Sequence, residues 1–139
     1  MSKLITTAFV MLIATKSVSF CADIPYLTGR VTDNAQILQE STRLSLTESL
    51  KEHEIKTSNQ IVVLTIPSLE GESIEDFANK VFNEWKLGQK EKDNGILFVI
   101  VPEEKKMRIE VGYGLEGTLT DLQAGRIIRN VMAPRFREG

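Results

Sequence analysis

The chain has 139 residues, of which 42% are hydrophobic and 26% are charged. This composition is typical of one globular domain and excludes a disordered chain or a membrane bundle. The formal net charge of −2 excludes the strongly basic surface that most nucleic-acid-binding domains present to phosphate groups. We therefore expect no nucleic-acid partner.

Residues 1–21 have the parts of a secretory signal peptide. Lys3 supplies the positive start, and residues 4–15 (LITTAFVMLIAT) form an uncharged run that is too short to span a bilayer. Removal of the leader takes away two of the 17 basic residues and leaves a mildly acidic domain. The sequence thus predicts an extracytoplasmic protein of the periplasm or cell envelope, with a buried N-terminal helix as the alternative.

The predicted cleavage site lies before Ala22. Ser19 and Cys21 are the small residues that such a site requires, whereas the bulky Phe20 argues against lipid attachment at Cys21. Because Cys21 is the only cysteine, neither an internal disulfide nor a cysteine-ligated zinc site is expected.

The rest of the chain alternates helical and extended patterns. Residues 22–34 contain Pro and Gly and are predicted to be irregular. The following patterns predict, in chain order, a helix capped by Ser41 and running to about Glu54, a strand over 60–66, a helix over 73–86 capped by Ser73, strands over 96–101 and 107–111, and a helix capped by Asp121 that stops before Pro134.

The spacing of hydrophobic residues distinguishes the predicted helices from the predicted strands. The clearest helical stripe has apolar residues at i, i+3, i+4, i+7, i+8 and i+11: Ile74, Phe77, Ala78, Val81, Phe82 and Trp85. Residues 96–101 (ILFVIV) are continuously apolar, which indicates a strand buried on both faces. Residues 107–111 alternate apolar and charged side chains, which indicates a strand with one buried face.

This order of elements predicts an α/β fold in a single domain over residues 22–139. A strand–helix–strand unit implies two parallel strands with a right-handed crossover, and the following hairpin adds an antiparallel strand. The expected architecture is a mixed β-sheet flanked by helices on its faces, an α/β/α sandwich.

Residues 112–117 (GYGLEG) match the glycine spacing of dinucleotide-binding loops. We reject that function because no second strand–helix–strand unit follows, and because Glu116 places negative charge where a phosphate would lie. The alternative is a turn that requires positive φ angles.

Three acidic turns are candidates for a cation site: Asp33, Asp93 and Asp121. Clustered carboxylates bind hard cations such as Ca²⁺ or Mg²⁺ through oxygen. The alternative is that the three are ordinary helix caps and a turn. Glu110 points away from the buried face of its strand and is either a ligand or simply exposed.

Other polar residues indicate no catalytic set. His53, the only histidine, lies between Glu52 and Glu54 and is predicted to be on the surface, which argues against a Ser/His/Asp triad. Arg126 and Arg129 are one turn apart and form either an anion site or, by the preferred interpretation, a solvated helix face.

The combined motifs resemble the TPM domain family. The resemblance is carried by residues 33–38 (DNAQIL), 60–63 (QIVV), Trp85 with Gly88, 92–97 (KDNGIL), and 108–117 (RIEVGYGLEG) followed by LTD at 119–121. It covers about residues 24–139. The family pattern continues beyond Pro134 and Phe136 into a further glycine turn and helix, whereas this sequence ends at Gly139.

The resemblance implies an extracytoplasmic α/β sandwich with a divalent metal, Ca²⁺ or Mg²⁺, bound in acidic loops. The positions carried over as metal ligands are Asp33, Asp93, Glu110, Glu116 and Asp121. Plant relatives have acid phosphatase activity, and bacterial relatives are often tethered to the membrane by a segment after the domain, which in this protein would lie beyond residue 139.

Two functions follow as hypotheses. The first is a monomeric binding module that takes up a divalent cation and joins a membrane-protein complex in the cell envelope. The second is a metal-dependent acid phosphatase for phosphate monoesters, with Asp33 or Asp93 as base and Arg126 holding the phosphate. The sequence has no nucleophile–base pair, which favours binding.

Overall fold

The computed structural model describes residue 17 and residues 21–138, so nearly all of the predicted leader lies outside the described residues. The elements, in chain order, are β1 (Val31–Asp33), α1 (Glu40–Thr57), β2 (Gln60–Thr65), α2 (Ile74–Glu84), β3 (Gly95–Val101), β4 (Lys106–Val111), a 3₁₀ turn (Tyr113–Leu115), α3 (Asp121–Ile127), a π turn (Ile128–Met132) and α4 (Ala133–Glu138).

The four strands form one mixed sheet in the order β1-β2-β3-β4. β1, β2 and β3 are parallel, and β4 is antiparallel to β3. The predicted parallel pair is confirmed, with Ile61 opposite Ile96 and Thr65 opposite Ile100. The predicted α/β class, with a mixed sheet between helices, is therefore correct.

The central strand β3 is buried on both faces, as its apolar run predicts. On one face Leu97 and Val99 pack in a core with Phe77 and Val81 of α2. On the other face Phe98 and Ile100 form a second core, with Met107 and Ile109 of β4 beside them in the sheet and partly buried residues of α1 and the π turn packed against it. The sheet is thus the middle layer of a three-layer sandwich.

The lead-in contains a strand that the sequence did not predict. Val31 and Thr32 of β1 are 4% and 1% exposed, and β1 pairs in parallel with Val63–Thr65. Three residues are too few to show a period of two, and the preceding Gly29 and Pro25 indicate a loop. The burial of β1 comes from its pairing with β2, which local sequence does not encode.

Two of the three predicted helix caps are displaced by one or two residues. Ser73 caps α2 as predicted, because its hydroxyl accepts a hydrogen bond from the N–H of Asp76 at 3.1 Å. By contrast, α1 begins after Gln39 instead of Ser41. Thr120, and not Asp121, caps α3, in a capping box with Gln123.

The helical path does not stop before Pro134, which corrects that prediction. A proline lacks an N–H group, and its ring clashes with the carbonyl group four residues earlier in an α-helix. In this chain the N–H of Ala133 donates to the carbonyl of Ile128 five residues earlier, so the path widens into a π turn. Pro134 then lies in the first turn of α4, where an N–H group needs no helical partner.

Within the described part of the chain, no helix has both the length and the apolar character needed to cross a bilayer.

Candidate functional site

Asp33 ends β1 and organises the loop that leads to α1. Its Oδ2 accepts a hydrogen bond from the N–H of Leu38 at 2.9 Å, and its Oδ1 accepts one from the N–H of Ile37 at 3.2 Å. The hydroxyl of Thr65, on the neighbouring strand, donates to Oδ1 at 2.5 Å. The carboxylate therefore holds the loop to the sheet.

Those contacts also determine the acidity of Asp33. Burial alone would raise the pKa of Asp33, but the hydrogen bonds from Thr65, Leu38 and Ile37, together with the positive charge of Arg43, bring the pKa below its ordinary value. The carboxylate is consequently a weak base near neutral pH. It lines an open polar depression of about 360 Å³, in which Arg43 is paired with Glu40.

Asp93 lies in the turn before β3. Its φ angle is 45°, a left-handed conformation that aspartate tolerates better than most residues. The next residue, Asn94, is 4% exposed and holds the turn in place. Its Oδ1 accepts from the N–H of Gln89 at 2.8 Å, and its Nδ2 donates to the carbonyl of Ser58 at 2.8 Å.

The glycines of the 112–117 motif pack the 3₁₀ turn against the Asp93 turn. A β-carbon on Gly112 would collide with the carbonyl oxygen of Asp93, and one on Gly114 would collide with that of Lys92. Neither glycine has a positive φ angle, so the expected conformational reason was wrong. The glycines are needed for close backbone approach, and the N–H of Gly114 donates to the Asp93 carbonyl at 3.0 Å.

Two other predicted ligands lie in different settings: Glu110 pairs with an arginine, and Asp121 lies at the start of a helix. The Nε of Arg108 donates to Oε2 of Glu110 at 2.9 Å, and the Glu110 side chain is 17% exposed. Asp121 is exposed in the first turn of α3, where its charge complements the helix dipole.

The structure places Asp33 and Asp93 at opposite ends of the sheet. Asp33 lies opposite Thr65 at the end of β2, whereas Gly95, close behind Asp93, lies opposite Gln60 at its start. Six strand residues span about 16 Å, and Ca²⁺ ligands lie within about 2.6 Å of the ion. Asp33 and Asp93 therefore cannot ligate the same ion.

No group of three or more His, Cys, Asp or Glu side chains in the described ranges is arranged to hold a metal ion. The carbonyl of Asp93 takes part in the contact between the Asp93 turn and the 3₁₀ turn, and Glu116 directly follows the 3₁₀ turn. A site that involves these two residues stays a prediction.

The sequence did not reveal a groove at the other end of β3. The groove has a volume of about 670 Å³ and lies between the β3–β4 hairpin and α4. Its apolar lining comes from Ile100, Val101, Pro102, Met107, Ala133 and Phe136, and its charged lining from Lys105, Lys106 and Arg137. All three of these charged side chains are basic.

Nothing in local sequence identifies this groove. Lys105 and Arg137 are distant in the chain, and they line the same groove because the helical path continues through Pro134. The available signals were the adjacent lysines in the hairpin and the Arg-Phe-Arg run at 135–137.

Comparison with known proteins identifies the family. The TPM domain matches residues 31–139. The chain belongs to the TPM domain family. No curated protein matches the chain.

Two solved structures share the fold. The first, a solution NMR structure of the N-terminal domain of a Porphyromonas gingivalis protein, is 36% identical, with a TM-score of 0.74 over 81% of this chain and 71% of that one. The second is the N-terminal domain of a Corynebacterium glutamicum protein, also solved by NMR. It is 14% identical, with a TM-score of 0.54 over 85% of this chain and 86% of that one, and this likeness concerns the fold alone.

Proposed function

We propose that this TPM domain is an extracytoplasmic binding module that recognises an acidic, amphipathic segment of a membrane-protein partner in the cell envelope. The groove between the hairpin and α4 carries this proposal. Its floor is apolar, with Phe136 42% exposed, and its charged lining is wholly basic. Apolar anchors beside complementary charge are typical of surfaces that bind peptide segments.

The partner's chemistry follows from that lining. An aromatic or aliphatic side chain would fill the space beside Met107 and Phe136, and carboxylates would pair with Lys105 and Arg137. Lys106 is within 3.7 Å of Glu104, so part of its charge is already balanced. We therefore assign the main electrostatic attraction to Lys105 and Arg137.

A fluorescent peptide with alternating Glu and Leu or Phe residues tests the groove by fluorescence anisotropy. We expect Lys105→Glu together with Arg137→Glu to weaken binding at least about tenfold, because each replacement turns an attraction into a repulsion. Lys90→Glu, at an exposed lysine outside the groove, is the matched control. Equal weakening by the control, or undiminished binding by the double variant, would contradict the proposal.

Export is the second part of the proposal. The signal-peptide pattern supports it, and the test is the mass of the protein recovered from the cell envelope. We expect a chain that begins at Ala22 or Asp23. Recovery of envelope material that retains Met1 would exclude cleavage at this site.

We also propose that the module takes up a divalent cation, Ca²⁺ or Mg²⁺, beside the 3₁₀ turn. Support comes from the family resemblance and from the hydrogen bond that the N–H of Gly114, two residues before Glu116 in the chain, donates to the carbonyl of Asp93. Carboxylate oxygens together with water complete the coordination of hard cations at such sites.

Hydrolysis of phosphate monoesters is the alternative, and it has weaker support from the geometry. Asp33, one of the two candidate bases, already accepts three hydrogen bonds, and its lowered pKa reduces its basicity. Release of nitrophenol from p-nitrophenyl phosphate, with and without added Mg²⁺ or Ca²⁺, separates the two functions. Metal-dependent turnover that is lost in Asp93→Asn would favour the enzyme.

A further inference from the structure

The segment just after the predicted cleavage site is anchored to α2 and its preceding loop. Ala22 is 7% exposed and belongs to the core that α2 covers, and Ile24 packs against the same core. The Nε1 of Trp85 donates to the carbonyl of Pro25 at 2.9 Å. The fold therefore fixes the position of the Ala22 backbone nitrogen.

That nitrogen lies beside a largely buried carboxylate. The carboxylate is that of Glu72, whose side chain is only 9% exposed and which contacts Cys21, the residue immediately before Ala22. Lys80 forms an ion pair with Glu72. The thiol of Cys21 donates to Oε2 of Glu72 at 2.9 Å and accepts from Nζ of Lys80 at 2.7 Å.

Cleavage between Cys21 and Ala22 changes the chemistry of this cluster. Hydrolysis adds water across the peptide bond, so the released leader carries the new carboxylate and the Ala22 nitrogen becomes an amine. At neutral pH most of that amine takes up a further proton, because an α-amino group has a pKa of about 7.7–8.0. One amide donor becomes a positively charged group with three donors, and the weak thiol donor departs.

We propose that removal of the leader creates an ion pair between the α-ammonium group of Ala22 and the carboxylate of Glu72, which fastens the mature N-terminus to the loop that precedes α2. The precursor lacks this pair because its Ala22 nitrogen is uncharged. Cleavage thus completes the fold and makes the mature domain more stable than the same domain with a residue before Ala22.

The inference rests on the exported state proposed above, but its test does not depend on export. A fusion protein cut in vitro can yield one chain that begins at Ala22 and a matched chain with a single Gly before Ala22. Both lack Cys21, and the added Gly moves the ammonium group away from the Ala22 nitrogen. A failure of export would appear in the mass of envelope material, whereas a failure of the ion pair would appear in the melting temperatures of these two chains.

At pH 7 we expect the chain that begins at Ala22 to melt about 3–8 °C higher than its Gly-extended counterpart. Glu72 stabilises the charged amine and raises its folded-state pKa. The advantage is therefore full below the unfolded value near pH 8 and declines as the pH rises through the folded value.

Two variants test the assignment to Glu72. We expect Glu72→Gln to remove the difference between the two chains, and Lys80→Gln to keep it together with its pH dependence. Equal melting temperatures of the two chains at pH 7 would overturn the proposal. So would a difference that survives in Glu72→Gln or does not change between pH 7 and pH 10.

Discussion

The hydroxyl of Thr65 donates a 2.5 Å hydrogen bond to the carboxylate of Asp33, which joins β1 to β2 where both strands end. Thr65 is fully buried, and its Oγ1 also accepts from the N–H of Ala35 at 3.0 Å. Asp33 therefore has a structural role, because its carboxylate links the ends of β1 and β2.

Asp33→Ala should lower the free energy of unfolding by about 1–3 kcal/mol, because it leaves the buried Thr65 hydroxyl and two loop N–H groups without their acceptor. Urea denaturation followed by circular dichroism measures this loss. Asp23→Ala, at an exposed aspartate, is the control and should change stability by less than about 0.5 kcal/mol. Equal effects would show that the loop does not depend on Asp33.

The same carboxylate should make stability depend on pH. Since hydrogen bonds lower the folded-state pKa of Asp33 below its ordinary value of 3.8, its contribution is present above that value and is lost as the pH falls through the folded pKa. Melting temperatures between pH 6 and pH 2 should therefore fall less steeply for Asp33→Asn than for the wild type. Parallel curves would contradict this contribution.

Because the 3₁₀ turn and the Asp93 turn are in close contact, replacing Gly114 and replacing Gly117 should have different effects on stability. Gly114→Ala should lower stability by about 1–3 kcal/mol, because its β-carbon would meet the carbonyl oxygen of Lys92. Gly117→Ala is the matched control, since nothing lies within 4 Å of a β-carbon at that position. Thermal melting of the two variants should differ by several degrees, and equal melting would exclude the contact.

The helical stripe of α2 contains aromatic residues with different burial. Phe77 is 0% exposed, whereas Phe82 is only partly buried. We expect Phe77→Ala to lower the free energy of unfolding by about 3–5 kcal/mol and Phe82→Ala by less. Chemical denaturation provides both values, and the reverse order would show that α2 is rotated relative to the structure.

A bound cation should raise stability by mass action, by about 2.7 kcal/mol at a hundredfold excess over its dissociation constant. We expect millimolar Ca²⁺ or Mg²⁺ to raise the melting temperature of the wild type. Asp93→Asn together with Glu116→Gln should remove that rise, and Asp33→Asn, at the opposite end of the sheet, should retain it. A wild-type melting curve unchanged by both cations would eliminate the proposed site and leave the groove as the binding surface.

The sequence predicted best those elements whose burial produces a recognisable spacing of apolar residues. The continuous run of β3 and the stripe of α2 both follow from burial against the sheet, and both are confirmed. β1 was missed because only three residues pair. The cap of α3 was misplaced because Asp121, a residue able to cap, lies beside Thr120, which does cap the helix. The start of α1 was misplaced because Gln39, at its N-cap position, makes no side-chain cap hydrogen bond.

The candidate site was less predictable for a topological reason. Asp33 and Asp93 occupy similar turns in the sequence, but one follows a parallel strand and the other precedes one. Parallel pairing sends these two kinds of turn to opposite ends of the sheet. The register of the strands, which the sequence does not state, decides which carboxylates can meet.

β4 is an edge strand, paired only with β3 in the described part of the chain. The outer edge of such a strand offers free N–H and C=O groups on which another strand could assemble. Lys106, Arg108 and Glu110 place a charged side chain at every second position of this strand. These charges discourage open-ended strand addition between copies of the domain.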